Sequence, residues 1–60
     1  MESVEAIQLG VTALENSRFK FTRAESAAMS VEAFANAKEY RDLIAEIDAA
    51  IDALNEVVKP

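Results

Sequence analysis

The sequence lacks several residues on which small folds and active sites depend. It has no Cys, His or Trp, and only one Gly and one Pro among 60 residues. Without Cys or His, neither a disulfide nor a thiolate- or imidazole-bound metal can stabilise the chain. The Ser and Thr hydroxyls have no obvious base nearby, so we expect no catalytic residues, metal or cofactor. The composition therefore predicts that the protein is not an enzyme.

Two further absences concern membranes and nucleic acids. No apolar run approaches the length of a signal sequence or a membrane span, and the first residues include acids instead of a basic region. Eleven acidic residues against six basic ones give a net charge of −5. Such a charge opposes binding to nucleic acids and anionic membranes. We expect a soluble, cytoplasmic protein with no membrane partner and no nucleic-acid partner.

The last third of the chain carries the strongest pattern. Large apolar residues recur there at alternating spacings of four and three, which is typical of one side of an amphipathic helix. We call these six residues the seam: Tyr40, Ile44, Ile47, Ile51, Leu54 and Val58. No Gly or Pro occurs between Arg23 and Lys59, so the sequence predicts one long helix over about 23–58.

A shorter helix is predicted over about 3–16, where Val4, Ile7, Val11 and Leu14 have the same spacing. Gly10 lies close to this stripe and indicates close approach of a neighbouring helix. The alternation of residues 18–21 predicts a connection. Thr22-Arg23-Ala24-Glu25 matches a capping box, which predicts the start of the long helix.

The predicted fold is a single all-α domain over 1–60, a helical hairpin. A first helix of about 21 Å would cover only half of a helix of about 54 Å. We therefore expect the seam to be an oligomer interface in an antiparallel dimeric four-helix bundle or a higher homo-oligomer. The alternative breaks the long helix near Ser30 or Asn36 and gives a three-helix monomer.

The function that this pattern favours is a non-catalytic, self-associating helical interaction module, acting as a protein-binding adaptor or inhibitor. Its expected partner is itself, with another protein as a further candidate. A second hypothesis is a binder of nucleotides or other phosphorylated or anionic ligands, because cations and aromatics interleave before a predicted helix N-terminus. Its candidate ligand-binding residues are Arg18, Phe19, Lys20, Phe21 and Arg23.

A third hypothesis rests on the acidic side chains of the last third. A rod of carboxylates can imitate a nucleic-acid backbone and occupy a basic groove on a partner. The ordinary interpretation is a solvated helix surface. The residues concerned are Glu39, Asp42, Glu46, Asp48, Asp52 and Glu56.

Overall fold

The protein is a two-helix hairpin in a computed structural model that describes residues 3–59. Helix α1 spans Ser3–Ser30 and helix α2 spans Phe34–Val58, and the two pack against each other along their length. The molecule measures 44 × 16 × 11 Å. Within the described range, neither helix is long and apolar enough to cross a membrane.

The first helix is twice as long as predicted. Residues 3–30 form one helix of 28 residues, so the predicted boundaries of 3–16 and 23–58, and the connection between them, are wrong. The stripe of α1 continues past Leu14, because Ile7, Leu14, Phe21 and Ala28 recur every seven residues and are all at least half-buried. A polar residue beside the stripe, such as the exposed Asn16, does not end a helix whose apolar side is still covered.

The predicted capping box does not form. Thr22 lies inside α1, and its Oγ1 donates a hydrogen bond to the carbonyl oxygen of Arg18, at 2.9 Å. Ser30 makes the same kind of bond to the carbonyl of Ser26, at 3.1 Å. Thr and Ser inside helices often bond back to the preceding turn in this way. The motif is therefore an ordinary helical segment, and α1 passes through it.

The reversal of the chain occurs at residues 31–33 without Gly or Pro. The N–H of Ala33 donates to the carbonyl of Ala28, at 2.8 Å, and the N–H of Glu32 donates to that of Met29, at 3.1 Å. This pair of bonds is the Schellman motif, which ends a helix with one residue in the left-handed conformation. Glu32 takes that position, with φ of 60°. The three-helix alternative was right to break the chain near Ser30 but wrong to require an earlier break.

The buried part of the hairpin lies near the turn. Ala28 is 8% exposed and Ala37 is 1% exposed, and these are the two buried apolar residues of the described chain. Small side chains at these positions allow the two helices to pack closely next to the turn. No large side chain among the described residues is fully buried.

Candidate functional site

The seam lies along the side of α2 that faces α1. Phe21 of α1 packs on Tyr40, with ring centroids 6.0 Å apart and ring planes 30° apart. Near the other end, a Cβ placed on Gly10 would lie 4.0 Å from Cδ1 of Leu54. All six seam residues are half-buried in the single chain. The predicted oligomer interface therefore already packs within the hairpin, and contact of the seam with a second chain stays a prediction.

Gly10 is not needed for close packing inside the hairpin. The separation of 4.0 Å between its hypothetical Cβ and Leu54 is an ordinary van der Waals distance. Alanine would therefore fit at this position without moving α2. The close approach that Gly10 predicted is absent from the contact between α1 and α2.

The basic-aromatic segment of residues 18–23 is helical, so the predicted turn at this place is wrong. Its backbone N–H groups lie in the interior of α1, where they bond to carbonyls of the preceding turn. No helix begins at this segment, so the predicted anion site at a helix N-terminus is absent there. Consecutive residues point about 100° apart around a helix, so the five candidate side chains do not converge. Phe21 is half-buried against the seam, whereas Phe19 is 64% exposed.

The cations of this segment have different surroundings. The guanidinium carbon of Arg23 lies 5.8 Å from the ring centroid of Phe19, which is a cation-π contact on the surface of α1. Lys20 is exposed, and no ion pair with it is found among residues 3–59. Arg18 donates from Nε to Oδ1 of Asp48 at 2.6 Å. That hydrogen bond, with the attraction of the carboxylate, raises the pKa of Arg18 above its ordinary value.

Two ion pairs join the helices on one side of the hairpin. Besides the pair of Arg18 and Asp48, Nε of Arg41 lies 2.8 Å from Oε2 of Glu25. Arg18 and Glu25 are seven residues apart in α1, and Arg41 and Asp48 are seven residues apart in α2. Residues seven apart lie on the same side of a helix. We call this side, defined by the two ion pairs, the ion-paired face.

The acidic side chains of α2 are partly neutralised by the chain itself. Nζ of Lys38 lies 3.0 Å from Oδ2 of Asp42, and Nζ of Lys59 lies 2.8 Å from Oε1 of Glu56. Asp48 is paired with Arg18, so half of the six acids proposed as a nucleic-acid mimic form an ion pair within the chain. No cluster of three potential metal ligands is found in the described part of the chain.

The hairpin tip exposes apolar surface that the sequence analysis did not identify. Val31, the first residue of the turn, is 74% exposed, and Phe34, the first residue of α2, is 58% exposed. An open groove of about 400 Å³ lies beside Val31, with one phenol and one amide as its polar side chains. The signal in the sequence for this tip is the repeat of apolar residues every seven positions in α1, which continues to Ala28 and so places the turn after it. The groove is lined by Ala24, Ala27, Ala28, Val31, Ala33, Asn36 and Tyr40.

Comparison of the chain with protein-family models, with curated proteins and with solved structures gave no match in any of the three.

Proposed function

We propose that the protein is a non-catalytic helical interaction module that acts by self-association, with two hairpins completing a four-helix bundle. The observation that carries the proposal is the absence of any fully buried large side chain among residues 3–59. Chains of this size are marginally stable even when their core is complete. A second copy is the simplest source of the missing cover, since every hairpin carries the same exposed apolar faces.

The incomplete burial extends over the whole length of the molecule. The seam is half-buried throughout, although α1 runs along all of α2. Two helices cannot enclose a stripe of large side chains between them, because such side chains stay partly open to solvent on the flanks of the contact. A third and a fourth helix close those flanks in a bundle. Exposed apolar residues are present along both helices and at the turn: Val4, Leu9, Phe19, Met29, Val31, Phe34, Leu43 and Val57.

The other two functions have less support. An anion site needs converging cations, but Arg18 is bound to Asp48 and the remaining cations lie elsewhere around α1. A nucleic-acid mimic needs free carboxylates, and half of the proposed set is paired. A chain without Cys is compatible with a reducing compartment, and we include the cytoplasm in the proposal.

The test of self-association is the mass of the protein in solution, measured by sedimentation equilibrium over a wide range of concentration. We expect a dimer or higher oligomer, and a melting temperature that rises with protein concentration, because association then stabilises the folded state. A monomer whose melting temperature is independent of concentration would overturn the proposal.

The anion hypothesis is separated from self-association by a thermal-shift titration with ATP and with inorganic phosphate. Under the proposal, neither ligand raises the melting temperature. A rise that disappears when Arg18, Lys20 and Arg23 are changed together to Gln, and that weakens with added salt, would favour anion binding instead.

A further inference from the structure

The side of the hairpin opposite the ion-paired face is mostly apolar. It carries larger side chains on α2 and small ones on α1. In α2, Leu43, Ala50 and Val57 follow each other at intervals of seven residues and so lie on one side of that helix. Leu43 is 38% exposed and Val57 is 68% exposed. In α1, the corresponding side is formed by alanines and by Lys20. We call this surface the alanine face and define it by Ala6, Ala13, Ala24, Leu43, Ala50 and Val57.

The two faces are separated by the geometry of the helices. At about 100° per residue, Ala13 lies about 140° around α1 from Arg18, and Leu43 lies about 140° around α2 from Asp48. Because the ion pair of Arg18 and Asp48 marks one face of the hairpin, these two residues point toward the other. No ion pair joins the two helices on the alanine face of residues 3–59.

We propose that the alanine face is the self-association surface and that its occupant is a second copy of this chain. The two copies are related by a two-fold axis parallel to the helices, so that both turns lie at the same end. Helix α1 of each copy then packs on α2 of the other, and every neighbouring pair of helices is antiparallel. This inference rests on the proposed function and specifies its interface and symmetry.

Residue sizes match across this interface. Phe21 lies level with Tyr40 and Gly10 with Leu54 along the hairpin. By the same offset, Ala6 lies level with Val57, and Ala13 with Ala50. In the proposed dimer, Ala6 of one copy therefore meets the larger Val57 of the other, and Ala13 meets Ala50. Small residues opposite large ones allow two helices to interdigitate closely.

Charge complementarity favours the same arrangement. Lys20 is two residues after Arg18 and Glu46 is two residues before Asp48, so Lys20 and Glu46 lie level in the hairpin, as that ion pair does. Neither is in an ion pair with another described residue. Lys20 is seven residues after Ala13 and so lies on the alanine face itself, whereas Glu46, four residues before Ala50, lies at its edge. The two-fold axis places Lys20 of each copy beside Glu46 of the other, which forms two ion pairs per dimer.

The opposite arrangement, with the turns at opposite ends, is disfavoured by the same charges. It packs α1 on α1 and α2 on α2. Glu46 lies near the middle of the hairpin, so full overlap would bring the two Glu46 side chains to within about one helical turn of each other. Like charges facing each other across an interface weaken association.

The first test is disulfide cross-linking, for which the natural absence of Cys provides a clean background. Two single variants, Ala13→Cys and Ala50→Cys, are mixed and oxidised, so that a mixed disulfide joins different copies. We expect the mixed disulfide to exceed either self-disulfide several-fold. The matched control mixes Val11→Cys with Asn55→Cys, each seven residues along its helix from Arg18 or Asp48 and therefore on the ion-paired face. It should give little product.

Sedimentation equilibrium of the same variants under reducing conditions separates the possible failures. A dimer that cross-links through the control pair, or mainly through one variant with itself, overturns the proposed face or symmetry and leaves self-association standing. A dimer with no cross-link at any of the four positions likewise overturns the proposed face or symmetry and leaves self-association standing. A monomer at every concentration overturns the proposed function as well.

The second test is a charge reversal. Lys20→Glu should raise the dissociation constant of the dimer about tenfold, because it replaces two attractive contacts with two repulsive ones. Lys20→Glu combined with Glu46→Lys should restore the constant to within about threefold of the original. Lys38→Glu changes the net charge equally but lies away from the alanine face, so it should have little effect. Equal weakening by Lys20→Glu and Lys38→Glu, without rescue, would overturn the proposed interface.

Discussion

At the scale of single residues, the chain departs from helical preference at Glu32 and at Gly10. Glu32 holds a left-handed conformation that Gly adopts without strain. Gly10 lies in the interior of α1, where glycine is a poor helix former. Neither residue is required by a contact within the hairpin. Both positions therefore offer a direct measurement of what the local conformation costs.

Glu32→Gly is expected to raise the free energy of unfolding by about 0.5 to 1 kcal/mol. Gly relieves the strain of the positive φ, and its greater freedom in the unfolded chain offsets part of that gain. Glu32→Ala, which keeps a Cβ, should change stability little. Urea unfolding followed by circular dichroism measures both. A Gly variant no more stable than the Ala variant would contradict the Schellman turn.

Gly10→Ala is expected to raise the free energy of unfolding by about 1 kcal/mol, because Ala is the better helix former and its Cβ meets only Leu54 at an ordinary distance. The matched control is Ala45→Gly, at an exposed position in α2, which should lower stability by about the same amount. A loss of stability in Gly10→Ala would show that another helix approaches closely at this point.

At the scale of helices, the turn is placed by the stripe of α1 and not by a turn residue. Asn16 and Ser17 carry the local signal for a break, yet α1 passes through them because Phe21 and Ala28 continue its apolar side. The chain reverses only after Ser30, through main-chain hydrogen bonds that any residue can form. Continuity of packing has outweighed local preference.

Thr22→Ala distinguishes the two interpretations of that segment. Inside a helix, replacing an exposed Thr with Ala should raise stability by about 0.5 kcal/mol, since Ala has the higher helix propensity. At an N-cap, the same change would instead lower stability by about 1 kcal/mol. Thr12→Ala, at an exposed position earlier in α1, is the control and should also stabilise. Thermal and urea unfolding of both variants provide the measurement.

At the scale of the whole molecule, the hairpin is long and thin, at 44 × 16 × 11 Å, and only Ala28 and Ala37 are buried among its described apolar residues. Such a shape has a large surface for its volume, so it leaves much of each apolar stripe in water. Stability and association are therefore expected to be coupled in this protein.

Ile47→Asp tests that coupling at the middle of the seam. A carboxylate at this half-buried position should cost more than about 2 kcal/mol, enough to remove most of the helical signal and to dissociate the proposed oligomer. Ala45→Asp places the same charge on the exposed side of α2 and should leave both properties nearly unchanged. Circular dichroism measures the helical content, and sedimentation measures association. An Ile47→Asp protein that stays helical and associated would contradict a role for the seam in holding the helices together.

Residue spacing alone predicts the all-α hairpin and the apolar side of α2, because apolar residues recur every three or four positions from Val4 to Leu14 and from Tyr40 to Val58. It assigned the seam to an oligomer interface and did not show that α1 packs on it. It did not determine where the chain turns. The break at residues 17–22 and the turn at 31–33 differ little in local propensity, and no Gly or Pro marks the true one. Only the pairing of α1 with α2 along their full length decides between them, since it alone covers Phe21 and Ala28. The ion-paired face and the alanine face were likewise undetermined, because each combines residues that are distant in the chain and become neighbours only when the helices are aligned.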